Sequence, residues 1–260
     1  PLLINGLEKL EYRGYDSAGI AIINSENNCI SCKKAEGKLK NLKSNLNDHN
    51  IPGTVGIGHT RWATHGKPEV KNAHPHTDSS GNIAVVQNGI IENFQDLKNK
   101  LEEEGIIFNS DTDTEVIPHL IQRELSTLSK LNLENNGSTL LVAVRNVLSD
   151  LEGSYALAVL WSGAPTSLVV ARRQAPLIIG LGEGEFICAS DTPAIANFTN
   201  IILPMEEDEI ALLTPLGIEI YDSSNERQYR NPVSLKVSEQ IMDKMNFKHY
   251  MLKEIYDQPQ

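Results

Sequence analysis

The sequence His59-Thr60-Arg61-Trp62-Ala63-Thr64-His65-Gly66 decides how the rest of this chain is interpreted. An apolar run over residues 55–60 predicts a strand that leads into it and holds Arg61 firmly at the strand end. The guanidinium of Arg61 is a forked cation that matches both oxygens of a carboxylate, which the ammonium group of lysine cannot do. Thr64 and a neighbouring backbone amide can complete this carboxylate site, although an isolated arginine could equally be a surface ion-pair residue.

Two downstream segments carry complementary chemistry, Gln87-Asn88-Gly89-Ile90-Ile91-Glu92-Asn93 and Ser110-Asp111-Thr112-Asp113-Thr114-Glu115. Asn88 and the Gly89 amide can direct two donors at one developing oxyanion, and Asp113 can bind an ammonium group. Asn-Gly is also the strongest short signal for a type I′ hairpin turn, and Asp113 could instead cap the helix that follows it. Together with Arg61, these residues predict a site that binds one free amino acid and exposes its side-chain amide to attack.

The group that would attack this amide is not evident among the cysteines. Amide hydrolysis needs a nucleophile and a base as well as donors for the oxyanion. Cys29 and Cys32 have redox spacing, but they fall in a predicted hairpin strand, where unpaired cysteines on opposite faces are the better interpretation. Cys188 lies in an apolar run, which predicts a small buried side chain.

Composition limits the classes of function. The chain has 260 residues, 40% of them hydrophobic and 22% charged, which is typical of a globular protein with a sizeable core. Its formal net charge of −11 makes nucleic acid and anionic membrane surfaces unsuitable partners. Its apolar runs are too short to span a membrane, no signal peptide is visible, and three cysteines do not form a disulfide framework. We therefore expect a cytoplasmic location.

Four nearby histidines invite a metal-binding interpretation: His59, His65, His74 and His76. Neither the spacing His-Glu-x-x-His nor a carboxylate at a ligand offset accompanies them, so we predict no metal site. The segment 180–184 imitates a dinucleotide fingerprint only superficially, because it leads into a strand rather than a helix. The sequence therefore predicts no cofactor.

Hydrophobic periodicity and turn residues predict alternating strands and helices. Helices are predicted over residues 2–10, 37–46 and 93–104, from about 114, and over 139–151. Strands are predicted over residues 18–23, 29–33, 55–60, 83–87, 154–161, 167–171, 177–181, 185–189, 201–203, 209–213 and 218–221. Runs of strands interleaved with a block of helices favour antiparallel sheets covered by helices, a layered α+β fold.

Five segments resemble a known family, the glutaminase (class II glutamine amidotransferase) domain of glucosamine-6-phosphate synthases, also called glutamine–fructose-6-phosphate aminotransferases (isomerizing). They are residues 11–19, 59–66, 72–76, 88–93 and 112–115. The resemblance implies an N-terminal-nucleophile hydrolase fold, a four-layer αββα sandwich of two antiparallel sheets between helices. It also implies that glutamine is hydrolysed to glutamate and that the ammonia reaches fructose-6-phosphate, giving glucosamine-6-phosphate.

The resemblance further implies a role for each residue that binds glutamine. The α-carboxylate would be held by Arg61, Thr64 and His65. The α-ammonium group would be held by Asp113 and by the carbonyl of Gly89.

The same resemblance implies how the amide reacts. Asn88 and the Gly89 amide would form the oxyanion hole, Trp62 would border the ammonia path, and Arg13 would lie in a mobile segment beside the site. The nucleophile in this family is a cysteine at the mature amino terminus, whose own α-amino group serves as the base. This chain begins at Pro1, so we expect the opening strand and the cysteine to lie upstream, and this piece to bind glutamine without hydrolysing it.

The resemblance also implies how the chain is organised. Residues 1–240 would be the glutaminase domain without its first strand, and 241–260 would begin a linker toward an absent sugar-isomerase domain. The stretch 248–256 is expected to be ordered, and the full-length protein is expected to be a homodimer. The alternative is a non-catalytic amino-acid-binding or assembly module on the same fold.

Overall fold

The computed structural model describes residues 1–46 and 51–235. The helices are α1 (Leu2–Leu10), α2 (Leu39–Leu46), α3 (Phe94–Glu103), α4 (Val116–Lys130) and α5 (Gly137–Leu148). The strands are β1 (Ser17–Ile23), β2 (Ile30–Glu36), β3 (Val55–Arg61), β4 (His76–Thr77), β5 (Ile83–Ile91), β6 (Gly153–Trp161), β7 (Leu168–Arg173), β8 (Ile178–Leu181), β9 (Phe186–Ala189), β10 (Ile201–Pro204), β11 (Ile210–Thr214), β12 (Gly217–Tyr221), β13 (Arg227–Gln228) and β14 (Val233–Ser234). The helices and strands predicted from periodicity are confirmed, with shifted boundaries. The expectations for 241–260, including order over 248–256, fall outside the described residues.

Within the described ranges, the largest sheet has seven antiparallel strands in the order β13-β12-β11-β7-β6-β5-β4. One face of this sheet is covered by α3, α4 and α5, which bury the largest apolar cluster of the molecule between helices and sheet. Ile83, Ile117 and Tyr155 are almost fully buried in that cluster. Alternate side chains of a strand point to opposite faces, so the same strands also supply apolar side chains to a second layer.

The other face of the large sheet is covered by two smaller sheets, of three and four of the described strands. Their orders are β2-β1-β3 and β14-β10-β8-β9. Ala21, Ile57 and Leu160 belong to the apolar cluster between the three-stranded sheet and the large sheet. Val170 and Ile179 belong to the corresponding cluster beneath the four-stranded sheet.

Helices α1 and α2 pack on the outer face of the three-stranded sheet, where Leu7, Leu39 and Leu42 are buried. The described residues thus stack as helices, sheet, sheets and helices. This arrangement confirms the expected α+β sandwich. Among the described strands, the sheet layer on the side of α1 consists of two separate sheets, and β3 and β9 are edge strands of these sheets.

Strand β5 is longer than predicted. Residues 88–91 continue the antiparallel pairing with residues 153–156 of β6. Asn88 and Gly89 therefore lie inside a strand, and the alternative of a type I′ turn is wrong. A distant strand partner overrides the local turn preference of Asn-Gly, which depends on context.

Asn93 immediately precedes α3, but its side chain does not cap the helix. Its Nδ2 donates to the carbonyl oxygen of Asp150 at 2.8 Å, and its Oδ1 accepts from the amide of Glu152 at 3.1 Å. These two bonds tie the end of β5 to the start of β6.

Across the described residues, no helix is both long and apolar enough to cross a bilayer.

A buried polar layer fastens residues 110–115 against β4. The Nε2 atom of His76 lies 3.0 Å from Thr112 Oγ1. Ser110 Oγ donates to Glu115 Oε2 at 2.6 Å. Each of these four residues is buried, and burial lowers the pKa of His76 to about 3.

We expect His76 to make the fold sensitive to acid. Its ordinary pKa is 6.5 and its folded pKa is about 3, so the unfolded chain takes up the proton first. The stabilisation is complete above pH 6.5 and is lost as the pH falls toward 3. In His76→Gln, the drop in unfolding free energy between pH 7 and pH 5 should shrink by about 2 kcal/mol, as measured by urea unfolding. An unchanged drop would show that His76 is not the residue that takes up the proton.

Candidate active site

One cavity of about 1310 Å³ opens between the edges of β3 and β9. Among the site residues predicted from sequence, those that line it are Arg13, Arg61, Trp62, Thr64, Asn88, Gly89 and Asp113. His65 is not among the lining residues, and its ring packs against Phe94 with centroids 5.4 Å apart. Segments far apart in the sequence therefore meet around one shared space.

Strand β3 places Arg61 at the wall of this cavity. Its guanidinium donates to the carbonyl oxygen of Lys67 at 3.3 Å and also to the carbonyl oxygens of His65 and Gly66. These bonds fold residues 62–67 back onto the end of the strand. Burial lowers the pKa of Arg61, while the carboxylates of Asp16 and Asp113 oppose that change.

Strand β5 places Asn88 and Gly89, the two predicted donors, at the cavity. Gly89 has φ +115°, a conformation that side chains rarely adopt, and an added Cβ would overlap the carbonyl oxygen of Ser154. Glycine is therefore required where β5 passes β6 beside the cavity. Asn88 precedes it, and its Oδ1 lies 2.8 Å from His59 Nε2.

Asp113 stands at the cavity on a short turn before α4. Its Oδ2 accepts from the backbone amide of Ile91 at 2.8 Å, and its side chain does not cap the following helical turn. The capping alternative is therefore wrong. The turn is held by Glu115, which accepts from the amides of Asn109 at 2.8 Å and Ser110 at 2.6 Å.

The cavity thus presents two buried side chains of opposite charge. Arg61 and Asp113 are each 4% exposed. Burying charge away from water is costly unless partners compensate, and both side chains line the cavity. Such a pair can bind a small zwitterion, one charge at each pole.

Sequence reasoning missed several polar residues that line the same cavity: His59, His74, Gln87 and Thr114. The rings of His59 and His74 stack with centroids 4.3 Å apart. Thr114 Oγ1 donates to Gln87 Oε1 at 2.6 Å. Strand alternation could have found His59, because it lies two residues before Arg61 and points to the same face of β3.

The mouth of the cavity is formed by more exposed side chains. Trp62 is 45% exposed, and Tyr15 meets it edge-on with ring centroids 5.6 Å apart. Arg13 pairs with Asp191 at 3.4 Å. These contacts link residues 11–16 to Trp62, which follows β3, and to Asp191, which follows β9.

All three cysteines fall in the described ranges and are free. Cys188 lines the cavity, but burial raises the pKa of its thiol to about 12. Burial also raises the pKa of Cys32, and Cys29 is exposed. A nucleophilic cysteine requires a lowered pKa, so neither Cys32 nor Cys188 has the properties of an activated nucleophile.

Comparison with known proteins gives relatives across the whole chain. The glutamine–fructose-6-phosphate aminotransferase [isomerizing] of Thermosynechococcus vestitus is 54% identical over 258 residues, covering 99% of this chain and 40% of the relative. The enzyme of the same name from Clostridium tetani is 45% identical over 259 residues, covering 100% of this chain and 40% of the relative. The chain thus spans about two fifths of the length of the curated relatives it matches.

A solved structure shares the fold and part of the sequence. The glutamine phosphoribosylpyrophosphate amidotransferase of B. subtilis superposes with a TM-score of 0.71 and is 28% identical, over 87% of this chain and 47% of that chain. The family model described as a glutamine amidotransferase domain matches residues 59–197, which include Arg61, Asn88 and Asp113. This chain belongs to the glutamine amidotransferase domain family.

Proposed function

We propose that this chain is the glutamine-hydrolysing part of an enzyme that transfers ammonia to fructose-6-phosphate and so makes glucosamine-6-phosphate. The observation that carries the proposal is the pair of buried opposite charges, Arg61 and Asp113, at the cavity that also exposes Asn88 and Gly89. A free amino acid has the complementary charges at its α-carbon, and its side-chain amide extends from there.

The first step of the proposal is the binding of glutamine. Arg61, Thr64 and His65 hold the α-carboxylate, while Asp113 and the Gly89 carbonyl hold the α-ammonium group. His65 contributes through the loop whose carbonyls bond to Arg61, since its ring faces Phe94. Each charge-assisted hydrogen bond contributes about 1.5–3 kcal/mol, which is enough to favour an amino acid over a simple amide.

The second step is stabilisation of the oxyanion by Asn88 Nδ2 and the backbone amide of Gly89. The amides of Gln87 and Ile91 bond to the side chains of His74 and Asp113. Because the backbone of a strand repeats every two residues, the amide of Gly89 points to the same edge of β5 as the amides of Gln87 and Ile91. Donors held in place before the reaction stabilise the negative charge that forms on the carbonyl oxygen.

The third step needs a nucleophile, and we propose a cysteine on an extended segment preceding residue 1. The edges of β3 and β9 both line the cavity, and among the described strands neither has a partner on that side. An extended segment between them would pair with free backbone groups and reach Asn88. Its thiol would give its proton to the α-amino group of the same cysteine and attack the amide carbon. That proton would pass to the departing nitrogen, which leaves as ammonia, and water would then hydrolyse the thioester to glutamate and the free thiol.

The proposed acceptor is fructose-6-phosphate, bound by a sugar-isomerase domain that follows this chain. The supporting observation is sequence identity. This chain is 54% identical to an enzyme named for that sugar and 28% identical to one named for phosphoribosylpyrophosphate. Trp62, at the mouth of the cavity, borders the path of ammonia toward that domain. Arg13 belongs to a segment that moves when glutamine binds. We further propose that the complete protein is a cytoplasmic homodimer.

The role of Asp113 can be tested by Asp113→Asn in the complete protein. The amide can still accept from Ile91, but it no longer neutralises an ammonium group. The loss of about 1.5–3 kcal/mol should raise KM for glutamine roughly 10- to 150-fold, measured as glutamate release.

The matched control is Asp111→Asn, two residues away. Asp111 is exposed and pairs with Lys71 at 2.9 Å. KM of the Asp111→Asn variant for glutamine should therefore stay within about twofold of the wild type. Equal effects of the two substitutions on KM would show that Asp113 does not bind the substrate. Failure of the unmodified protein to release glutamate would favour the non-catalytic binding module.

The position of the nucleophile can be tested with a chloroketone analogue of glutamine. The complete protein should be labelled once, on a cysteine outside residues 1–260. Cys32 and Cys188 have raised pKa values and so react slowly, and Cys29 does not line the cavity. Peptide mapping by mass spectrometry locates the label. Stoichiometric labelling of Cys29, Cys32 or Cys188, suppressed by glutamine, would overturn the assignment.

A further inference from the structure

A side-chain hydrogen bond joins the two sheet layers at the cavity. His59 lies on β3 of the three-stranded sheet, and Asn88 lies on β5 of the seven-stranded sheet. His59 Nε2 and Asn88 Oδ1 are 2.8 Å apart. Among the described residues, the Nδ2 group of Asn88 has no hydrogen-bond partner. The contact with His59 therefore fixes this amide through its oxygen, and its nitrogen remains available in a residue that lines the cavity.

The chemistry of the two groups determines the direction of the bond. An amide oxygen only accepts, so His59 donates from Nε2. The terminal torsion of asparagine is otherwise broad and roughly two-fold, and a half-turn would exchange Oδ1 and Nδ2. An oxygen facing the substrate carbonyl would repel a developing oxyanion, whereas an N–H group would stabilise it.

The ring of His59 is itself held in place. It stacks on His74 with an interplanar angle of 18°. His74 Nδ1 accepts from the amide of Gln87 at 3.3 Å, and its Nε2 lies 3.5 Å from Thr114 Oγ1. Burial lowers the pKa of His59 to about 4 and that of His74 well below its ordinary value. Both rings are therefore neutral near pH 7, so each has one donor nitrogen and one acceptor nitrogen.

We infer that His59 is a positioning residue for Asn88, turning the Nδ2 group of Asn88 toward the substrate carbonyl. This inference rests on the proposed function, in which Asn88 donates to the oxyanion. His59 touches no reacting atom in this assignment. Its effect on the reaction passes entirely through the orientation of one amide.

Three substitutions in the complete protein test this role. His59→Leu removes the donor at similar volume, His59→Gln places a donor near the position of Nε2, and His59→Asn carries the same amide on a shorter side chain. For His59→Leu and His59→Asn, kcat for glutamine hydrolysis should fall about tenfold or more. KM should stay within about twofold, because Arg61 and Asp113 are untouched. His59→Gln should recover most of the lost kcat.

A double-mutant cycle separates positioning from general stabilisation. Removing an oxyanion donor by Asn88→Ala should lower kcat about 10²- to 10³-fold. If His59 acts only through Asn88, adding His59→Leu to Asn88→Ala should change kcat no further. Thermal unfolding midpoints of all variants are measured in parallel. If His59 had only a structural role, His59→Leu would lower the midpoint, and it would also lower kcat further when added to Asn88→Ala.

The outcomes distinguish this inference from the proposed function. If the unmodified protein does not hydrolyse glutamine, or Asn88→Ala retains full kcat, the proposed function fails and this inference fails with it. If Asn88→Ala is impaired but His59→Leu is not, or the two losses multiply, only the role of His59 is overturned. Should His59→Leu not fold, the comparison of His59→Gln with His59→Asn decides, and equal kcat values would contradict the inference.

Discussion

The backbone of β5 is the constraint on which the site depends. Its pairing with β6 runs along the whole strand, whereas β4 pairs with it only at residues 84–85. Beyond that point side chains supply the acceptors, since His74 accepts from Gln87 and Asp113 from Ile91. Buried amides need acceptors, so the bonds that satisfy the edge of β5 also fix two side chains at the cavity. One strand therefore aligns both the charged and the neutral parts of the site.

The two ends of the site are held by different kinds of structure. Asn88 and Gly89 lie within a sheet that is packed on both faces. The cation at the other end, Arg61, bonds to the carbonyl oxygens of a loop, residues 65–67. Loops with exposed hydrogen bonds open at lower free energy than central strands. We therefore expect adjustments on ligand binding to fall mainly in the loop, while Asn88 and Gly89 stay fixed.

Local sequence patterns predicted the elements well and their assembly less well. The helix at 2–10 and the hairpin at 18–33 follow from periodicity and turn residues, which act over a few positions. The length of β5 does not follow from local patterns, because Asn-Gly favours a turn. Only pairing with the distant strand β6 makes residues 88–91 part of the strand. The division of one layer into two sheets also depends on long-range pairing. The contact of His59 with Asn88 crosses two sheets, and no spacing in the sequence encodes it.

The helical side of the large sheet has a consequence for inherited variation. Its apolar cluster includes Ile117, Leu140 and Tyr155, which are buried and do not line the cavity. A substitution confined to the exposed site residue Gly89 or the half-buried Asn88 removes no side chain from that cluster, so we expect the folded state to persist when only the site is damaged. Cells remove proteins mainly through their unfolded fraction. An allele altered at the site would therefore accumulate as intact but idle polypeptide, whereas one altered beneath the helices would be lost to degradation.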